Sequence, residues 1–145
     1  MQTRRCARLI IINQQGQLLL FQYQDEHKKE PFWATAGGEL TKGESYRDAA
    51  QRELYEETGL TNPIGPLLKK HEAIFAVARS TPARWLEQYF LVECHSSQNI
   101  HAACWTEEEQ ETIQQWRWWR VAEMQAAGKE HFKPEWLAEL LAQQV

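Results

Sequence analysis

A chain of 145 residues fits one domain whose single core buries roughly two-thirds of the unfolded surface, so residues 1–145 read as a single unit. A hydrophobic share of 43% with 25% charged residues excludes disordered and fibrous classes. The net charge of -4 argues against dedicated nucleic-acid binding, which needs a basic stripe, but allows a nucleotide ligand.

At the N-terminus Arg4, Arg5 and Arg8 precede the apolar Leu9 to Ile12. That run is too short for a signal peptide, and no stretch approaches the roughly 20 residues of a membrane span. Cys6, Cys94 and Cys104 lack zinc-site spacing and read as reduced thiols, which points to the cytoplasm. Arg5 to Ile12 and Leu18 to Phe21, joined by Asn13-Gln14-Gln15-Gly16, predict a hairpin of core strands. Alternation puts Arg8 on one face with Cys6, Ile10 and Ile12. It either contacts a substrate phosphate or base, or reaches solvent from the strand end. Asp25 to Pro31 reads as a loop, and Phe32 to Ala36 as a short strand leading to Gly37-Gly38.

The stretch after those glycines carries the chemistry. Ser45 followed by Asp48 resembles a capping box, and Gly59 sits where a left-handed residue would close a helix of about 13 residues. On it Glu53, Glu56 and Glu57 stand at i, i+3 and i+4, within an arc of roughly 100°. Like charges so placed repel, and a bound cation would offset the repulsion. Carboxylates without Cys or His partners suit Mg²⁺ or Mn²⁺, hard ions that share their coordination with phosphates. Gly37-Gly38 would let backbone approach an ion or phosphate closely, and Arg52 could orient a carboxylate or pair with Glu44.

Gly38, Glu44, Arg52-Glu53-Leu54, Glu56-Glu57 and Gly59-Leu60 together resemble a complete Nudix box, every fixed position matched. In many members of that family Pro precedes the two glycines; here the residue is Ala36, which loosens the turn without removing a proposed ligand. The resemblance implies a Nudix fold, an α+β architecture in which a mixed β-sheet lies between helices as an α/β/α sandwich. It also implies a metal-dependent pyrophosphohydrolase that cleaves a diphosphate linkage in a nucleoside diphosphate joined to another group. Metal would be held by Glu53, Glu56, Glu57 and the Gly38 carbonyl, with Arg52 and Glu44 completing the catalytic set. The general base is one of the box glutamates or comes from a loop elsewhere, for which Glu107, Glu108, Glu109 and Glu111 are the candidates. That acidic run also fits a solvated helix start after Thr106.

Beyond the box, Leu67 to Ala78 predicts strand, Glu87 to Cys94 a central strand, and His95 to Thr112 a long polar segment. Trp116 to Val121 reads as a final strand entering a helix near Val121 to Ala127, ended by Gly128. Pro134 is expected in the first turn of a last helix whose Trp136, Leu137, Leu140 and Leu141 form a core stripe. In Trp116-Arg117-Trp118-Trp119, alternation sends Trp116 and Trp118 to one face and Trp119 to the other. Phe32, Trp33 and Trp105 are candidate base or leaving-group contacts.

Subfamily signatures narrow the substrate by elimination. Ile74-Phe75-Ala76 stands where ADP-ribose hydrolases carry Pro, and the marks of dinucleoside polyphosphate, NADH and coenzyme A hydrolases are missing. A nucleoside triphosphate, including non-standard ones, is left as substrate. The competing readings are a catalytically silent Nudix-fold module that senses a nucleotide, and isopentenyl-diphosphate isomerase. The intact glutamates argue against the first, and the lack of a catalytic Cys segment against the second. The sequence is compatible with a monomer or a homodimer.

Overall fold

The computed structural model describes residues 1–24, 30–76, 81–101, 109 and 113–145. Strands β1 (Thr3–Ile12), β2 (Leu18–Tyr23), β3 (Phe32–Ala34) and β4 (Gly37–Glu39) precede helix α1 (Tyr46–Thr58). They are followed by β5 (Leu67–Phe75), β6 (Ala83–Glu93), β7 (Ile113–Trp119), α2 (Val121–Ala127), a 3-10 turn at Lys129–His131 and α3 (Leu137–Gln144). The last helix begins past Pro134, which instead lies in the turn before it, its carbonyl accepting from the Leu137 N–H at 3.3 Å.

The strands form one mixed sheet in the order β3-β2-β1-β6-β5, with β4 also pairing β1 and β7 pairing β2. The pairing of β1 with β6 is parallel over its whole length, Thr3 opposite Arg84 through Ile12 opposite Glu93, and the other pairings are antiparallel. Alternation divides β1 between two apolar layers. Ala7, Leu9 and Ile11 pack under α1 with Ala49, Ala50 and Leu54, while Ile10 and Ile12 pack with Met124 of α2 and Leu137, Leu140 and Leu141 of α3. Helices thus cover both faces, giving the expected sandwich. Trp119 fills the second layer, whereas Trp116 on the opposite face of β7 is exposed. Among the described residues no helix is long and apolar enough to cross a membrane.

One departure from regular pairing positions the site. The hairpin turn is fixed by Asn13, whose Oδ1 accepts from the N–H groups of Gln15 and Gln17 at 3.0 Å each. After the Ile12–Leu18 pair, β1 and β2 diverge. The segment 32–39 fills the gap like a wedge, β3 pairing back to β2 and β4 to β1. Gly37 thereby comes opposite Arg8, where a Cβ would collide with the Ala7 carbonyl and lie 2.8 Å from Arg8 Cα. The φ of 146° at Gly37 also favours glycine.

Candidate active site

Helix α1 begins as its sequence suggests, with Ser45 Oγ accepting from the Asp48 N–H at 3.1 Å. It ends at Gly59, with φ 77° and its N–H donating to the Tyr55 carbonyl at 2.8 Å. Leu54 turns into the core and draws Glu53 and Glu57 inward beside it, to 8% and 1% exposure. Glu57 Oε2 accepts from the Gly37 N–H at 2.6 Å, so the wedge and the helix meet at this carboxylate. Gly38 lies against Glu53 so closely that a Cβ would overlap the carboxylate.

Arg52 organises the acidic face. Its Nε and Nη2 grip Glu44 bidentately at 2.9 Å each, Nη1 donates to Glu53 Oε1 at 2.7 Å and Glu56 Oε2 at 3.0 Å, and Nη2 also donates to the Glu39 carbonyl at 3.0 Å. Every donor of the planar guanidinium is used, which a Lys ammonium could not reproduce. Its hydrogen bonds pull the Glu44 carboxyl down to about 2. Glu56 therefore turns toward Arg52 and is partly exposed, whereas Glu53, Glu57 and Glu109 bring one oxygen each within 4.8 Å of one another.

That trio is electrostatically unbalanced. Burial, the hydrogen bond with Glu109 and the Glu53 charge raise the Glu57 carboxyl well above the ordinary range, and burial raises Glu53 despite Arg52. Three oxygen donors converge beside a backbone stripped of Cβ at Gly38, a donor set that fits a hard divalent cation and would be relieved by one.

A cavity of about 400 Å³ opens from this cluster, with Gly37, Glu57 and Glu109 at one end. It extends past Arg8, Tyr23 and Phe32 to His71, Phe75, Glu87 and Lys133. Arg8 does not simply reach solvent: its Nε donates to Glu87 Oε2 at 2.9 Å. His71 Nδ1 lies 3.0 Å from Glu87 Oε1. Burial pushes the Glu87 carboxyl up, but Arg8 and His71 more than offset it and leave it below the ordinary value.

Of the sequence-stated candidates, Arg8, Phe32, Gly38, Glu53, Glu57 and Glu109 come together at the cluster or its cavity. Trp33 alternates away from Phe32 and packs edge-on against Trp119, ring centroids 5.1 Å apart, in the layer under α2 and α3. Trp105, Glu107, Glu108 and Glu111 lie outside the described residues. Glu87, His71, Phe75 and Lys133 were not singled out by the sequence. A signal existed for Glu87: it alternates with the apolar Ala83, Trp85 and Tyr89 on one strand face, where a carboxylate calls for a cationic partner, as Arg8 beside Ile10 and Ile12 calls for an anion on β1.

Solved structures share the fold: a MutT protein from Methanosarcina mazei superposes with a TM-score of 0.71 over 98% of this chain and 92% of that one, at 17% identity. Among curated relatives, an RNA pyrophosphohydrolase of Roseobacter denitrificans is 28% identical over 132 residues, 83% of this chain and 79% of that protein. A CTP pyrophosphohydrolase of Escherichia coli is 36% identical over 62 residues, 43% of this chain and 46% of that protein. A family model described as the NUDIX domain matches residues 2–140, and the chain belongs to that family of hydrolases acting on diphosphate linkages.

Proposed function

We propose that the protein is a Mg²⁺- or Mn²⁺-dependent pyrophosphohydrolase of nucleoside triphosphates, standard or modified, with Glu53, Glu57 and Glu109 holding the ion and the Gly38 carbonyl beside them. The convergence of these three carboxylates at the mouth of a nucleotide-sized cavity carries the reading. When bound, the ion would neutralise the diphosphate, polarise phosphorus and lower the pKa of the attacking water. The chain's own residues do the rest. Arg52 fixes the Glu53 carboxylate and, through Glu44, ties the loop after β4 to α1. The Gly37 N–H holds Glu57 in place. Water adds to one phosphorus, the bridging P–O bond breaks, and a carboxylate of the cluster accepts the proton. Glu56, held on Arg52, is an outer member of the acidic face. The names of the RNA and CTP pyrophosphohydrolase relatives are consistent with a nucleotide substrate.

The test is incubation with Mg²⁺, a nucleotide panel and isopentenyl diphosphate, with products identified by mass. Cleavage to a monophosphate and pyrophosphate is expected, and Glu57→Gln should reduce kcat by at least about 100-fold with unchanged circular dichroism. Near-normal turnover by that variant, or binding without cleavage by the natural chain, would overturn the assignment.

A further inference from the structure

Away from the carboxylate cluster, the cavity is unevenly supplied with hydrogen-bonding groups. Arg8 extends from β1 toward β6, on the sheet face opposite α1, and its Nε is held by Glu87. The other oxygen of Glu87 is engaged by His71 from β5. An ionised carboxylate only accepts, so His71 Nδ1 carries the proton in this pair. The guanidinium is thereby locked in orientation. Its two η nitrogens make no hydrogen bond to any described residue, and Arg8 lines the cavity with 19% of its side chain accessible.

The walls on either side are aromatic. Phe32 from β3 and Phe75 from β5 flank one ammonium, that of Lys133, which lies 5.5 Å from the first ring centroid and 4.3 Å from the second. Lys133 is held there by its own N–H, which donates to the Trp33 carbonyl at 2.9 Å. A flat heterocycle would stack on one of these rings with the Lys133 ammonium beside it, because base stacking on aromatic side chains is favourable for every base. Stacking alone would not discriminate. The Arg8 assembly does: both oxygens of Glu87 are already accepting, so what this assembly presents to a base is the N–H fork of Arg8.

We propose that Arg8, oriented by Glu87 and His71, reads the nucleobase of the substrate and selects one that presents two adjacent acceptors, guanine through N7 and O6 or cytosine through N3 and O2. Adenine sets an amino donor beside N7 and N1, and uracil sets an imino donor between its carbonyls, so each would oppose an N–H to the N–H groups of Arg8. Position assigns Arg8 to the base rather than the phosphates. Glu53 and Glu57 project from α1, and although Arg8 Cδ passes beside Gly37, the guanidinium is drawn over β6 by Glu87. Glu87 and His71 act through Arg8 and are positioning residues. The inference rests on the nucleotide reading of the site given above.

Two measurements keep the base proposal separable from that reading. The first is kcat/KM with Mg²⁺ for GTP, CTP, ATP, UTP and 7-deaza-GTP. GTP or CTP should exceed ATP by roughly 10- to 100-fold, the discrimination of one bidentate pair. A guanine reader should lose its preference with 7-deaza-GTP, which lacks N7; a cytosine reader should favour CTP throughout. Arg8→Lys, which keeps a cation for Glu87, should collapse the preference toward unity, and Glu87→Gln should weaken it through KM rather than kcat. Equal turnover of all bases, or a parallel loss on every nucleotide in Arg8→Lys, would overturn the proposal while leaving the hydrolase reading intact. The second is calorimetric binding of GMP, CMP and AMP without metal. An Arg8-dependent preference there, with no hydrolysis of any triphosphate, would uphold the base reading and sink the hydrolase one. Equal binding of the three monophosphates would refute the base reading.

Discussion

Gly38→Ala separates the geometry of the carboxylate cluster from the stability of the fold. Gly38 is not among the positive-φ glycines, so the backbone accepts alanine there. The added methyl would, however, fall on the Glu53 carboxylate, with Oε2 at 2.8 Å and Oε1 and Cδ closer still. An unstrained contact needs roughly 3.5 Å, so the carboxylate must retreat by about 1 Å. Retreat pulls Glu53 Oε1 off Arg52 Nη1, a bond of 2.7 Å, and away from Glu57 and Glu109. A displacement of about 1 Å at reacting groups can cost on the order of 100-fold in rate. Strain of about 1 kcal/mol should move the thermal midpoint by only about 2–4 °C in a domain of this size. The assay is initial-rate hydrolysis across a Mg²⁺ titration, beside scanning calorimetry of the same samples. A variant with natural rate and metal dependence would refute the placement of Glu53 in the cation site. A fall in midpoint beyond about 10 °C would show that Gly38 serves folding rather than the cluster.

Three further outcomes follow from the same geometry. Arg52→Lys keeps the charge but cannot fill the acceptors on Glu44, Glu53, Glu56 and the Glu39 carbonyl. Metal affinity or rate should drop roughly 10- to 100-fold, and an unchanged Mg²⁺ titration would contradict this. Leu54→Ala, at a fully buried position beneath α1, should cost about 2–5 kcal/mol in urea unfolding, and a loss under about 1 kcal/mol would mean the helix is not seated there. The hydrogen bonds of Arg52 hold the Glu44 carboxyl at about 2 against an ordinary 4.5. A depressed folded pKa means the unfolded chain binds the proton more readily, so this contribution is complete above about 4.5 and drains as pH falls toward 2. Glu44→Gln should flatten stability across that window, read from urea midpoints; an acid slope identical to that of the natural chain would contradict the pairing.

The carboxylate half of the candidate site was legible because it is local. The capped helix, the turn of Glu53 and Glu57 to one face and the two glycines all follow from short spacings within one segment. Glu109 stood in the sequence as one of several equivalent acids, and only the fold brings it beside Glu57. The face division was not legible for Glu56, since its attraction to Arg52 depends on side-chain packing rather than helical angle alone. The Arg8, Glu87 and His71 assembly is built from three strands. It exists because Cys6 stands opposite Glu87 in the parallel β1–β6 pairing and His71 stands opposite Glu87 across β5. Spacing along one chain carries no record of such registers. Pairing a cation among the apolar residues of one strand face with an anion among those of another would have been the available clue. For Phe75 and Lys133 even that is lacking, because an aromatic residue on an edge strand and a lysine in a turn are ordinary surface choices.

The wedge between β1 and β2 works as a ruler. Its outer strand is locked to β2 by the pairing of Phe32 with Tyr23, and its inner strand to β1 by the pairing of Gly37 with Arg8. Only Thr35 and Ala36 lie between the two strands, both buried. The distance from the aromatic wall to the carboxylates is therefore set by backbone register and not by side chains. Under the proposed reading, substitution of Arg8 would alter which base is welcomed without altering how much phosphate fits between base and cluster. That span changes only by inserting or deleting residues in the wedge, which would break a pairing on one side or the other. With Arg8 as the base reader and the carboxylates as the phosphate end, base choice would be open to point mutation while phosphate reach would be fixed by the sheet.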